Sequence, residues 1–425
     1  MLALIGPAAA TAQVLTTIEF SFSNPGARSL GFGGAFVALA DDATAAFANP
    51  AGLVQLSRPE VSLEGRFWSY SSPYTAGGRA AGDPTGLGID TVADPIRVSS
   101  RADLAGFSFV SVVYPKGRWS FAVYRHQLQN FEMTQEIQGI FTSGPVAGAW
   151  RGPIERGSFD FKVITQAAAV GYRLGDRLSI GAGLSHFQPH SAFTGLEYLP
   201  DEDTLEAYFA PASFLPGRLS HAVEVASTGS DLGLAVGFLW KPEPRWSVGG
   251  AYREGPAFEF RGEAVAGPAH PEVAAGTRLV WRLGPWSYPD VYSLGVAYRS
   301  KSGRWTGSCE WSRVEYSTIV DSFDPQLSTP GDILEDADEL HLGGEYAFFL
   351  GSSVMAVRFG AWRDPDHQVR NETGGGVIQA ENLGGADELH VTGGFGLALD
   401  KLQIDFGIDL SELRDTASLS LIYSF

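Results

Sequence analysis

This sequence predicts an all-β fold, a closed transmembrane antiparallel β-barrel of about 14 strands whose apolar side faces lipid and whose lumen holds an N-terminal hatch. Three observations point there. Stretches of strict apolar/polar alternation recur along most of the chain. The connections between them alternate between tight and long. The polar side of the alternation carries Gly, Ser and charged groups, the inverse of a water-soluble barrel.

Composition agrees. No linker or low-complexity tract divides the 425 residues, so one large closed sheet is simpler than several soluble domains. Aromatics make up 12% of the chain and 52 residues are glycine, with mean hydropathy near zero. That is too polar for a helical bundle, whose spans each need about 20 nearly unbroken apolar residues. A single cysteine, Cys309, excludes an intrachain disulfide framework and cysteine-based metal sites. The formal charge of −18 disfavours nucleic acid and anionic surfaces as partners. Acidic runs such as 201–203 and 335–339 fall between strand candidates and read as solvated loop tips.

In chain order, Met1 to Ala12 reads as the apolar core and small-residue cleavage site of a secretory signal without its basic lead, a signal-peptide remnant. Residues 13–58 do not alternate. Asp41 and Asp42 suit a helix start, because their carboxylates accept free amide hydrogens of a first turn. A short helix over 43–48 would then end at Asn49-Pro50, before Ala51. This Gly- and Ala-rich stretch is too interrupted to cross a membrane and suits a compact plug inside something larger. The barrel then occupies 59–425, with strand candidates at 60–70, 104–115, 118–130, 158–174, 178–194, 222–241, 245–262, 288–299, 304–317, 338–349, 353–365, 387–399, 401–411 and 415–425. Within 158–174 the apolar parity reverses, which predicts a bulge near Thr165 to Ala168. Trp119, Trp240, Trp246 and Trp305 sit beside short turns, as an interfacial aromatic girdle requires. The last strand ends on Phe425, the expected contact of the barrel assembly machinery.

The Gly-rich lead 29–34, the Asp41-Asp42-Ala43 step and Asn49-Pro50-Ala51 just before the first strand resemble the hatch of the FadL/TodX family of outer-membrane hydrocarbon and long-chain fatty-acid transporters. With the strand count and terminal Phe425, the resemblance spans essentially the whole chain. It implies a fourteen-stranded barrel in the outer membrane of a Gram-negative-type bacterium, passively importing a hydrophobic small molecule without cofactor. An outer groove would collect the ligand, an interior pocket would receive it, and a gap at a kink in the third strand would release it into outer-membrane lipid. Related hatch signatures also occur in barrels that serve protein secretion or surface attachment, which is the alternative function. An open porin is disfavoured, because 13–58 is suited to fill a lumen.

The resemblance places half of the groove in the loop holding Leu205, Tyr208, Phe209, Phe214 and Leu215, the first three of which share one face of a short helix. Packing within the loop is the other reading of these side chains. The third strand carries Arg125, His126, Gln127, Gln129 and Asn130, polar for a lipid-facing wall, but no Gly or Pro kink. Parity turns Arg299, Glu310, His341, Glu345, Arg358, Asp405 and Asp409 inward. Arg299 or Arg358 would suit a ligand carboxylate, with bracing ion pairs as the alternative. No nucleophile elbow or zinc-protease motif is present. His186 and His190 lie too far apart along a strand for one metal.

Overall fold

The computed structural model describes residues 22–322, 332–351, 353–371 and 386–425; the signal segment Met1 to Ala12 lies outside them. Fourteen antiparallel strands form a closed barrel: β1 (Glu60–Gly78), β2 (Pro95–Lys116), β3 (Trp119–Ile137), β4 (Ile154–Arg173), β5 (Leu178–Tyr198), β6 (Leu219–Thr228 and Asp231–Glu243), β7 (Trp246–Arg253 and Ala257–Ala266), β8 (Arg278–Ser287 and Val291–Arg299), β9 (Trp305–Val314), β10 (Ala337–Leu350), β11 (Ser353–Asp364), β12 (Glu388–Ala398), β13 (Leu402–Leu410) and β14 (Arg414–Ser424). β14 closes on β1 from Glu60↔Ser424 to Tyr70↔Arg414. Closure of β14 on β1 leaves no free terminal strand, so most ladder amides find a partner within the sheet. Among the described residues no helix is long and apolar enough to cross a membrane.

The outward face is greasy and the inward face is not. Leu232, Leu234, Val236, Leu419 and Leu421 are exposed, whereas Ser418, Ser420, Asp405 and Asp409 are buried. Trp119, Trp240, Trp246 and Trp305 are exposed beside the tight turns, and Gly117 takes the left-handed backbone (φ +65°) that the β2–β3 turn demands.

Two sequence expectations change. First, β1 to β4 run well beyond their predicted loop-side ends, with β1 and β2 paired as far as Gly78↔Pro95. Above the bilayer nothing requires an apolar outer face, so the hydrophobic alternation fades while the backbone pairing continues. Second, β4 has no bulge near Thr165 to Ala168, where its register with β5 is unbroken. The irregularity lies on β3, where Leu128 is extra between Gln127↔Ile164 and Gln129↔Val163. Parity reverses along β4 because its surroundings do: Phe159, Phe161 and Val163 are buried toward the lumen, while Val170 and Tyr172 alternate with the inward Ala169 and Gly171.

β6, β7 and β8 are each interrupted, at 229–230, 254–256 and 288–290. Side-chain carboxylates replace the missing ladder bonds. Asp231 accepts from the Ala257 amide at 2.7 Å. Glu254 accepts from Leu234 at 2.9 Å, and Asp290 from Gly255 at 2.7 Å. Pro256 and Pro289 bring no amide to the wall here, as their placement at strand breaks requires.

Candidate functional site

The lower lumen is filled by residues 22–56, which form α1 (Ala27–Gly31), α2 (Ala45–Ala48) and a 3-10 turn (Pro50–Gln55). Glycines of the wall make this possible. A Cβ at Gly181 would collide with the backbone of Pro50 and Ala51, one at Gly249 with the Val37 carbonyl, and one at Gly343 with that of Phe32. An irregular chain also brings amides and carbonyls that no ladder satisfies, and the wall supplies partners. Glu310 accepts from the amides of Phe36 (2.7 Å) and Val37 (2.8 Å). Glu64, itself paired with Arg66 at 2.8 Å, accepts from Gly26. A ring nitrogen of His341 lies 2.9 Å from the Gly33 carbonyl, and Ser247 donates to that of Ala38.

The residues singled out in this segment have separate tasks. Asp42 accepts from the amide and hydroxyl of Thr44, so α2 starts two residues later than the predicted 43–48 helix. Asp41 takes no part in capping; it pairs with Arg28 (2.6 Å) and Arg299 (2.8 Å). Burial alone would raise its carboxyl, but these two guanidinium groups outweigh it and hold Asp41 at about 2. Asn49 is fully buried: its amide donates to the carbonyls of Val37 (2.8 Å) and Phe238 (3.0 Å), and its oxygen accepts from Ala51. Pro50 opens the 3-10 turn, where a missing amide costs nothing.

Neither predicted ligand arginine is unpaired. Arg358 is buried between Glu345 (2.7 Å) and Asp405 (2.6 Å), and Arg299 stands at the mouth against Asp41. Of the other parity-assigned residues, Glu310, His341, Glu345, Asp405 and Asp409 are all buried inside. Among the described residues no cluster suited to a metal ion occurs.

Above the segment the lumen becomes aromatic. Trp68, Phe131, Phe159, Phe161, Phe187 and Trp286 belong to one buried cluster, capped toward the loops by Tyr316 and Ile319. Over it, α3 (Leu205–Phe209) packs on the loop hairpin Phe141–Val146/Ala149–Arg151. Of the expected groove residues, Phe209 is buried and stacks on Phe141 at 5.4 Å, and Phe214 is buried against Tyr198. Tyr208 packs beside Phe209 and accepts from the Arg151 amide. Leu205 and Leu215 remain exposed, together with Leu87, Val146 and Trp150 of neighbouring loops. The first loop is fastened by the buried Arg79–Asp90 pair at 2.7 Å. Burial would raise the Asp90 carboxyl, but hydrogen bonds from Thr85 and Arg79 hold it below the usual range.

Besides the breaks in β6 to β8, the described wall parts between β2 and β3. β2 pairs with β3 only from Phe109↔His126 down to Lys116↔Trp119. Above that level β2 stays on β1 and β3 stays on β4 up to Ile137↔Glu155. Both strands carry an extra residue where they part, Ser108 in the β1–β2 register and Leu128 on β3. Side chains bridge what the ladder leaves open: Arg125 donates to the Phe107 carbonyl at 2.7 Å, and Tyr70 of β1 reaches across to that of Asn130 at 2.7 Å. Gln127 projects to Gly106, while His126, Gln129 and Asn130 are buried. Polar residues therefore sit where a strand edge must be satisfied without a neighbouring strand, and they mark the split although β3 has no Gly or Pro there.

Three residues escaped the sequence reading. Phe47 of α2 reaches the foot of the split, 4.6 Å from the His126 ring. Leu128 and Phe47 line one cavity with Phe22, Tyr124, Phe187 and Tyr288. Arg253 lines the same cavity, over the Phe47 ring at 4.7 Å and 3.4 Å from Asn24 Oδ1. Among the described residues no carboxylate lies within ion-pair distance of it. Its only sequence signal was an arginine on the inward parity of β7.

A lipid-facing fourteen-stranded barrel whose lumen is filled from its own N-terminus, with a buried aromatic cluster above, defines an outer-membrane channel of the hydrophobic-compound type. Residues 3–339 match the model of the outer membrane protein transport protein family (OMPP1/FadL/TodX), and the chain belongs to that family. No curated protein sequence matches it. Among solved structures, a Pseudomonas aeruginosa FadL homologue aligns over 96% of this chain and 99% of its own, at 14% identity and TM-score 0.66. The Pseudomonas putida toluene transporter TodX and the Ralstonia pickettii toluene transporter TbuX each align over 95% of this chain and 99% of their own, at 14% identity and TM-score 0.58.

Proposed function

We propose that the protein is a passive channel for long-chain fatty acids or hydrocarbons, which enter past the exposed apolar loop side chains, pass among the aromatic side chains of the upper lumen, and leave sideways into lipid between β2 and β3. Residues 22–56 act as the hatch that denies the ligand a straight aqueous route. The observation that carries this reading is the β2–β3 split, which meets the Phe47–Leu128 cavity at its foot. Sideways release is the physically economical path, because each methylene gains about 0.8 kcal/mol by staying out of water. The reactionless site, in which side chains only bind and guide, suits uptake down a gradient. Arg253 extends the fit to a ligand with a carboxylate head, since among the described residues no carboxylate lies within ion-pair distance of it and it borders a mainly apolar cavity. The toluene carried by the TodX and TbuX relatives suits the aromatic lining as well.

Gly106→Trp tests the route by filling the split from the β2 side. Uptake of labelled oleate or toluene into proteoliposomes is expected to fall at least tenfold while the folded barrel keeps its gel mobility. Unchanged uptake in that variant removes the lateral route, and wild-type uptake no faster than in empty liposomes removes the transport reading itself.

A further inference from the structure

The chain has 48 acidic and 30 basic residues, yet its periplasmic mouth is locally basic. A cleft of about 500 Å³ opens there between the wall and residues 54–55 of the N-terminal segment. Arg173, Arg177, Lys241 and Arg299 line it against two carboxylates, Asp41 and Asp176. An adjoining recess shares Lys241 and Arg299 and adds Arg245. Asp41 neutralises little of this, because Arg28 already holds its other oxygen at 2.6 Å. Arg177 has no ion-pair partner among the described residues. Lys241 lies within coulombic range of Asp41 and of both Arg299 and Arg173, so several like charges share one carboxylate that Arg28 already engages.

Three of these cations also hold the N-terminal segment in place. Arg299 pairs with Asp41 at 2.8 Å, Lys241 donates to Gln55 at 2.6 Å, and Arg173 donates to the Val54 carbonyl. We propose that this cleft binds a small multivalent oxyanion, a polycarboxylate or phosphate, and that its binding releases the end of the segment from the wall. An oxyanion satisfies the cations better than one shared carboxylate, a neutral amide and a carbonyl do. It therefore favours the state in which those contacts are given up, by the difference in its affinity for the two states. The release rests on reading residues 22–56 as the hatch; the binding does not.

Calorimetry of the full-length folded protein in non-ionic detergent tests it, with citrate and inorganic phosphate as probes. Saturable citrate binding with a Kd of about 1 mM or tighter is expected, weakening with added salt. Arg177→Gln with Arg245→Gln, both at exposed turn positions, should weaken it about tenfold. Arg58→Gln with Lys401→Gln, beside the β12–β13 turn and outside the lining of the cleft, should change it less than twofold. Citrate should also speed amide exchange of residues 51–56. If phosphatidylglycerol in nanodiscs competes citrate away and phosphatidylcholine does not, the natural oxyanion is a lipid headgroup; otherwise it is soluble. No saturable binding, or equal loss in both double variants, overturns the site. Binding without faster exchange overturns the release. Neither readout involves hydrocarbon uptake, so failure here leaves the transport reading to its own test.

Discussion

The two halves of the lumen are lined from inward positions of one continuous wall, yet their chemistry is opposite. Below, Glu64, Glu310 and His341 bond backbone groups that no ladder satisfies, and Glu345, braced by Arg358, holds Arg28. Above, Trp68, Phe131, Phe159 and Phe161 face one another. The occupant explains the difference. Irregular backbone confined in a barrel needs fixed donors and acceptors, whereas an apolar ligand needs their absence. On the proposed reading the lower half is a latch and the upper half a solvent for grease, so they should fail in different ways.

The largest expected effect is in the latch. Glu310→Leu leaves the amides of Phe36 and Val37 buried without their acceptor and should cost about 3 kcal/mol. Thermal melting and amide exchange of the N-terminal segment measure it, and Glu310→Gln, which keeps an acceptor, should recover most of the loss. A Leu variant as stable as wild type would break the comparison.

At the boundary between the halves, Arg253→Leu should affect ligand choice more than fold. Oleate uptake is expected to fall about tenfold, the worth of one charge-assisted hydrogen bond, while toluene uptake is unchanged. Equal loss for both ligands would assign Arg253 to holding Phe47 in place.

The smallest effect sharpens the electrostatics of the latch. The folded-state value of Asp41, about 2, lies below the usual unfolded value of about 4. Its contribution is therefore fully present above pH 4 and is lost as pH falls through 2. The stability difference between wild type and Asp41→Asn should shrink between pH 5 and pH 2.5. A difference constant over that range would show that the Arg28 and Arg299 contacts do not set it.

Much of the barrel was legible because lipid imposes a period of two that no other environment would tolerate on so many strands. Where that pressure stops, legibility stops too: the loop-side ends of β1 to β4 carry no alternation to read, and the parity reversal in β4 mimics a bulge. Aromatic residues in a loop, such as Phe209 and Phe214, look alike in sequence whether they await a ligand or bury each other; here they are buried. The split at Leu128 had a polar signature in Arg125, Gln127 and Gln129, but nothing local said that β2 would turn aside.

By itself the sequence determined the strand number, the lipid-facing side, the girdle and a small-residue N-terminal segment, because each follows from alternation, composition or turn chemistry within a few residues. Only the tertiary structure decided which charges are used up. Arg299 and Arg358, equal candidates in sequence to Arg253, are matched by a carboxylate 258 residues away in one case and by carboxylates of β10 and β13 in the other. Whether a charge is available to a ligand depends on what closure of the barrel and insertion of the N-terminal segment place against it, and those contacts span the whole chain.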